Sequence, residues 1–112
     1  MKPLVLLIFA IAAEFNVPRD FALAITVQDN SELCAEYWEH PEERIREEME
    51  QIKWLIDRPE VQTFWDVAIA YNAGLNALED PPPYAIEYAN RVMFEWNDLS
   101  RGKIEITIRT TN

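Results

Sequence analysis

Prolines and one glycine divide this 112-residue chain into apolar segments with helical periodicity. These helix boundaries limit the fold more than any other feature of the sequence. Proline fits the first turn of a helix but not its interior, and glycine favours the position just past the helix end. Pro18, Pro41 and Pro83 therefore predict three helix starts, and Gly74 predicts a helix end. The length is that of one domain with a single core.

The spacing of apolar residues between these boundaries predicts five helices. The first is apolar nearly all round, so we expect it to be buried. The fourth begins with a capping pair, a threonine followed three residues later by an aspartate. The predicted helices run from Leu4 to Phe15, from Pro18 to about Asp29, from Pro41 to the break at Asp57, from Thr63 to Gly74, and from Pro83 through Trp96.

The end of the chain has a different pattern. Ile104, Ile106 and Ile108 alternate with polar residues, which is the period of a half-buried strand. Because no second strand is evident, this strand either packs on the helices or adds to a sheet in another chain. We therefore predict an all-α helical domain over residues 1–100, followed by one short C-terminal β-strand or tail in residues 101–112.

The charge of the chain argues against two classes of partner. Its formal net charge is −10, and ten of its twenty acidic residues fall between Glu32 and Glu60, against four basic residues there. An acidic surface repels nucleic acid and anionic membranes, so neither is expected as a partner. A solvated helix face is the ordinary interpretation of such an acidic block.

The sequence contains no metal-binding motif. Cys34 is the only cysteine and His40 the only histidine, so no internal disulfide forms within the chain. A zinc site needs three or four nitrogen, sulfur or oxygen ligands at suitable spacings, which these two residues and scattered acids do not supply. We expect neither a metal nor another cofactor.

The first residues, MKPLVLLIFAIAAEF, allow two interpretations. Lys2, the apolar run and the alanines that follow it have the form of a cleaved secretory signal, and the run is too short to span a bilayer. The apolar run also continues directly into EFNVPRD without a change of character. We favour a helix that is retained in the core.

Four stretches of the chain carry a family resemblance. They are IAAEFNVPRDFALAITVQ, HPEERIREEMEQIKWLI, DVAIAYNAG and PPPYAIEYANRVMFEW, and together they cover about Leu4 to Trp96. In this order they resemble the soluble lytic transglycosylase family, which has a goose-type lysozyme-like fold. The third stretch is close to the Ala-Tyr-Asn-Ala-Gly signature of that family and is the most specific of the four.

The resemblance implies a reaction. In the family, a glutamate at the end of the second helix protonates the glycosidic oxygen of peptidoglycan, then helps the muramic acid 6-hydroxyl to attack the anomeric carbon. One catalytic carboxylate is enough because the nucleophile lies within the substrate. Asp29 occupies the position of that glutamate and is one methylene shorter, and Asn30 occupies that of the following serine.

The resemblance also assigns the other site residues. Tyr71, from the signature, faces the acid/base residue, and the expected substrate-binding residues are Gln28, Asn72, Tyr84 and Tyr88. The Gly-Leu-Met-Gln segment that forms one wall of the family's sugar groove is missing between Asn30 and Pro41. Glu32 and Glu36, in the segment that replaces it, are alternative carboxylates.

Two functions are therefore expected from the sequence. The first is a lytic-transglycosylase-like domain, from a phage virion or the bacterial cell envelope, that cleaves or binds the peptidoglycan glycan strand. The second is a catalytically inactive structural subunit of a phage particle, which contacts other virion subunits through residues 104–110. Under the second interpretation, Tyr71 belongs to the apolar stripe of its helix and Gly74 only ends that helix.

Overall fold

The helical prediction is confirmed by a computed structural model, which describes residues 3–29 and 39–109. The described part is all-α, and a short 3-10 helix occupies the loop that follows Gly74, where the sequence predicted no regular structure. The five α-helices begin and end within a few residues of the predicted boundaries. They are α1 Pro3–Glu14, α2 Arg19–Asp29, α3 Pro41–Ile56, α4 Phe64–Ala73 and α5 Pro83–Leu99, and the 3-10 helix is Leu75–Leu78.

The boundaries of α4 show why the local signals predicted it well. The Thr63 hydroxyl accepts a hydrogen bond from the backbone N–H of Asp66 at 3.1 Å, and the Asp66 carboxylate accepts one from the backbone N–H of Thr63 at 3.2 Å. Gly74 has a φ of 95°, a conformation that favours glycine, and its N–H donates to the carbonyl of Ala70 at 2.8 Å. The capping box and the glycine therefore define both ends of the helix.

The core forms where α2 and α4 pack on α5, with α3 against α4 and α1 against both α2 and α3. Three aromatic rings meet at one end of this core, with centroids 4.9 to 5.1 Å apart in tilted or edge-on pairs. They belong to Phe21, Phe64 and Trp96. Such pairs stabilise a core beyond the area they bury, so they hold α2, α4 and α5 in fixed relative positions.

The prediction that α1 is buried all round is wrong. Leu4, Ile8, Ile11 and Ala12 are buried, but Leu6 on another face of the helix is 55% exposed. The reason is geometrical: α1 packs on α2 and α3 from one side, and no described element covers its outer face. Within the described residues, no helix combines the length and the apolar character needed to cross a membrane.

The predicted C-terminal strand is reduced to one antiparallel bridge, between Thr63 and Thr107. The N–H of Ile108 donates to the carbonyl of Gln62 at 2.7 Å, so the tail pairs with the residues that lead into α4. Ile104 and Ile108 pack against the core, whereas Ile106 is 47% exposed. The three isoleucines therefore do not share one buried face, because the tail is not a continuous strand.

Candidate functional site

Four helices each contribute one titratable side chain to a single cluster. Asp29 is the last residue of α2, Glu48 lies in the middle of α3, Tyr71 lies near the end of α4, and Tyr88 lies on α5. Electrostatic interactions or hydrogen bonds connect all four groups. We call these four residues the carboxyl cluster.

The Asp29 carboxylate is held by tyrosine hydroxyls. The hydroxyl of Tyr88 donates to Oδ1 of Asp29 at 3.0 Å, and Tyr71 also donates to this carboxylate. Asp29 as a residue is exposed, but the protein atoms around its carboxylate raise the pKa of the group, while the hydrogen bonds from Tyr88 and then Tyr71 lower it. Desolvation has the larger effect, so the pKa is raised above its ordinary value.

Glu48 occupies a more buried position beside Asp29. Its Oε1 lies 2.9 Å from the hydroxyl of Thr26, which is fully buried and also lies 2.9 Å from the carbonyl oxygen of Ala22. Burial raises the pKa of Glu48 to about 7; the hydrogen bond with Thr26 lowers this pKa, and the negative charge of Asp29 raises it. A carboxyl group with such a pKa holds or releases a proton near neutral pH.

Both tyrosines of the cluster remain protonated. Burial raises the pKa of the Tyr71 and Tyr88 hydroxyls well above the ordinary value, and the neighbouring carboxyl groups raise them further. Each hydroxyl therefore keeps its proton and acts as a hydrogen-bond donor. The two donors can orient a carboxylate and stabilise its negative charge.

No protein-family model, curated protein or solved structure matches this chain. The carboxyl cluster and the motifs that carry the resemblance are therefore the features that point to a function. A cluster of two carboxyl groups and two hydroxyls is suited to proton transfer, because its members have different pKa values.

The structure brings together three of the residues that the resemblance assigned to the site, which are Asp29, Tyr71 and Tyr88. Gln28 precedes Asp29 in the chain, and its side chain accepts a hydrogen bond from Nε of Arg91 on α5, at 3.2 Å. The remaining two, Asn72 and Tyr84, are exposed to solvent.

The sequence did not single out Glu48, although a signal was present. Glu48, Ile52 and Leu55 have the spacing i, i+4 and i+7, which places the glutamate on the buried face of α3. Other acids of the block, including Glu43, are exposed as a solvated face would be. Four residues discussed from the sequence, Asn30, Glu32, Cys34 and Glu36, lie outside the described residues, as does most of the segment that replaces the missing groove wall.

An open cavity of about 500 Å³ lies between α3 and α4 and shares Tyr71 with the carboxyl cluster. On the side of α3 it is lined by Glu50, Gln51 and Trp54 among others, and the indole of Trp54 is 52% exposed. The guanidinium of Arg58 lies 4.5 Å from the centre of that ring. An aromatic surface with a few polar groups is typical of small-molecule sites.

The acids of the described residues form no evident metal site. No group of three or more histidine, cysteine, aspartate or glutamate side chains in residues 3–29 and 39–109 is arranged to hold a metal ion. The carboxyl cluster has two carboxyl groups, and its other members are protonated tyrosines. Its described groups are therefore better suited to moving protons than to binding a cation.

Proposed function

We propose that this chain is a peptidoglycan-directed domain of the lytic-transglycosylase type, which cleaves the glycan strand in a phage virion or in the bacterial cell envelope. One observation carries the proposal. The carboxylate at the end of α2, that of Asp29, receives hydrogen bonds from Tyr71 and Tyr88, which come from two other motifs of the resemblance. Motifs that resemble one family thus meet at one carboxylate.

The electrostatics of Asp29 support this function. A general acid must hold a proton at the working pH, and an exposed aspartate does so poorly because its ordinary pKa is about 4. Desolvation raises the pKa of Asp29, and the tyrosine hydroxyls orient its oxygens. In the family that the chain resembles, one such carboxyl group suffices because the substrate supplies its own nucleophile.

The cavity beside Tyr71 supports a sugar as the ligand. Its volume of about 500 Å³ lies in the range of small-molecule sites, and the exposed ring of Trp54 offers an apolar surface to a sugar face. Gln51 and Glu50 offer hydrogen-bonding groups to sugar hydroxyls. Tyr71 lines the cavity and also donates to the Asp29 carboxylate, so the cavity lies next to the carboxyl cluster.

Incubation of the purified protein with peptidoglycan tests the proposal, with anhydromuropeptides measured by mass spectrometry. Asp29→Asn should lower their release by at least roughly 10²-fold, because an amide cannot exchange a proton as a carboxyl group does. Asp98→Asn, on the exposed end of α5, is the matched control and should retain the wild-type rate. If the folded wild-type protein releases no product, the enzymatic proposal is wrong.

The second candidate is the structural subunit of a phage particle that has lost activity. It is favoured by the tail, which forms one β-bridge and a few hydrogen bonds with the residues that lead into α4 and leaves Ile106 47% exposed. An exposed edge of this kind can pair with a strand of another subunit. The combination of no product release, intact folding and protection of the tail in an assembled particle would favour this candidate over the enzyme.

A further inference from the structure

The cavity between α3 and α4 has walls of different character. The wall from α4 and the turn after it contributes no charged side chain. The wall from α3 presents polar and aromatic side chains at the spacing i, i+3, i+4 and i+7, which belong to Glu47, Glu50, Gln51 and Trp54. A neutral sugar explains the aromatic ring but not two carboxylates on the same wall.

The carboxylates of Glu47 and Glu50 are not balanced by cations of the protein. In the part of the chain that the structure describes, neither carboxylate forms an ion pair. The basic residues within one helical turn of Glu50 are Arg46 and Lys53. Arg46 pairs with an acid of α1, and Lys53 pairs with the acid just past the end of α3 at 3.5 Å. Both cations are therefore engaged elsewhere.

The aromatic ring on the same wall is held in place by a residue outside the cavity. The guanidinium of Arg58 lies 4.5 Å from the centre of the Trp54 ring, and its Nε donates to the carbonyl of Trp54 at 3.1 Å. Arg58 does not line the cavity, and no lysine, arginine or histidine is among the described residues that do. The cavity wall on α3 is therefore negatively charged and lies beside an ordered aromatic ring.

The hydrogen-bonding groups of the cavity limit the ligand that fits it. An ionised carboxylate only accepts hydrogen bonds, and the hydroxyl of Tyr71 already donates to Asp29. The ligand must therefore bring donors to Glu47 and Glu50. A primary ammonium group brings three donors and a positive charge, and it is also attracted to aromatic rings. An acetamido group brings one N–H donor and no charge, so it satisfies these carboxylates less completely.

We propose that this cavity binds a primary ammonium group carried by the peptidoglycan ligand, with the carboxylates of Glu47 and Glu50 as its acceptors beside the ring of Trp54. The inference rests on the proposed function and names the chemistry of its ligand. Peptidoglycan offers such a group in two places. One is a glucosamine unit that has lost its acetyl group, and the other is the side chain of a lysine in the stem peptide.

Isothermal titration calorimetry of the full chain in low-salt buffer tests both sources. A tetramer of glucosamine is compared with a tetramer of N-acetylglucosamine, and a muramyl tripeptide ending in lysine is compared with its Nε-acetylated form. In at least one pair, the ligand with the free amine should bind at least about fivefold more tightly, as expected for partly exposed carboxylate–ammonium contacts. The pair that shows this preference identifies the source of the amine.

Two double variants locate the preference. Glu47→Gln/Glu50→Gln should remove it, because glutamine keeps the size of the side chain and loses its charge. Glu43→Gln/Glu60→Gln is the matched control, since it changes the net charge equally at residues outside the cavity, and it should keep the preference. All four side chains are exposed, so both variants should fold. The control separates binding in the cavity from general attraction of cations to an acidic protein.

Equal binding within both ligand pairs, or an equal loss of preference in the two double variants, would overturn the inference. The proposed function stands in that case if the wild-type protein still releases anhydromuropeptides from peptidoglycan. A preference that depends on Glu47 and Glu50, in a folded protein that releases no product, would instead overturn the enzymatic proposal and leave the ammonium site supported.

Discussion

The Tyr88 hydroxyl donates a hydrogen bond to the Asp29 carboxylate at 3.0 Å, across 59 positions of the sequence. This contact joins the last residue of α2 to the buried face of α5. The Tyr88 hydroxyl is buried and keeps its proton, so it stabilises the negative charge of the proposed active carboxylate. The consequences of this contact and of its neighbours can be measured one at a time.

Tyr88→Phe should raise the pKa of Asp29 above its wild-type value. The substitution removes a hydrogen bond that stabilises the carboxylate and keeps the aromatic ring in the core. Carboxyl NMR titration measures the change. Ser100→Ala is a matched control, since Ser100 on the end of α5 also donates to an aspartate of α2, Asp20, at 3.1 Å. An unchanged or lower pKa of Asp29 in Tyr88→Phe would contradict the prediction.

Glu48→Gln should remove a part of the pH dependence of stability. The folded-state pKa of about 7 exceeds the ordinary 4.5, so the folded state binds this proton more tightly than the unfolded chain does. The stabilisation is complete below about pH 4.5 and is lost as the pH rises through 7. Its size is on the order of 3 kcal/mol, from about 1.4 kcal/mol per pKa unit.

Urea unfolding at pH 5 and pH 8 measures this effect. The free energy of unfolding of the wild-type protein should fall more between these values than that of Glu48→Gln, which cannot ionise. Glu43→Gln should follow the wild-type curve, because Glu43 is exposed. If the free energy of unfolding changes equally with pH in the wild-type protein and in Glu48→Gln, Glu48 has the same pKa in the folded and the unfolded state.

Thr63→Ala should destabilise the fold by about 1 kcal/mol, which is the usual cost of losing an N-cap. The lost interaction is the hydrogen bond from the N–H of Asp66 to the Thr63 hydroxyl at 3.1 Å. Thr63→Ser keeps a hydroxyl and should stay close to the wild-type value. Chemical denaturation measures the free energy of unfolding of both variants. Equal stability of the alanine and serine variants would exclude a contribution from the cap.

Phe21→Ala should cost about 3 to 5 kcal/mol, as is usual when a buried phenylalanine is truncated. Phe21 is fully buried and contacts the rings of Phe64 and Trp96, so the substitution leaves a cavity among three helices. Phe94→Ala removes the same side chain from a position that is 74% exposed and should change the stability much less. Similar losses in the two variants would contradict the proposed packing.

The fold was predicted best where the determining interactions are local. Thr63 and Asp66 are three residues apart, and the capping box they form was read directly from the sequence. Predictions of burial failed where the exposure of a side chain depends on elements distant in the sequence. Leu6 is exposed because α2 and α3 cover only one side of α1, and Ile106 is exposed on a tail that forms one bridge and no continuous strand.

The candidate site follows the same division. Motifs identified Asp29, Tyr71 and Tyr88, since each lies in a stretch with a recognisable pattern. Glu48 is one of many acids in α3, most of which are exposed to solvent. Its position on the same helix face as Ile52 and Leu55 was the only indication in the sequence that it is buried. Its perturbed pKa depends on Thr26, 22 positions away, and on Asp29.

By itself the sequence determined the helices, their ends and the acidic character of the surface, because caps, prolines and apolar periodicity act over a few residues. Only the tertiary structure decided that two carboxyl groups meet two tyrosine hydroxyls. That meeting depends on how α2, α3, α4 and α5 pack, and the packing also supplies the desolvation that sets the pKa of each carboxyl group. Desolvation is a property of neighbours distant in sequence, which no local pattern specifies.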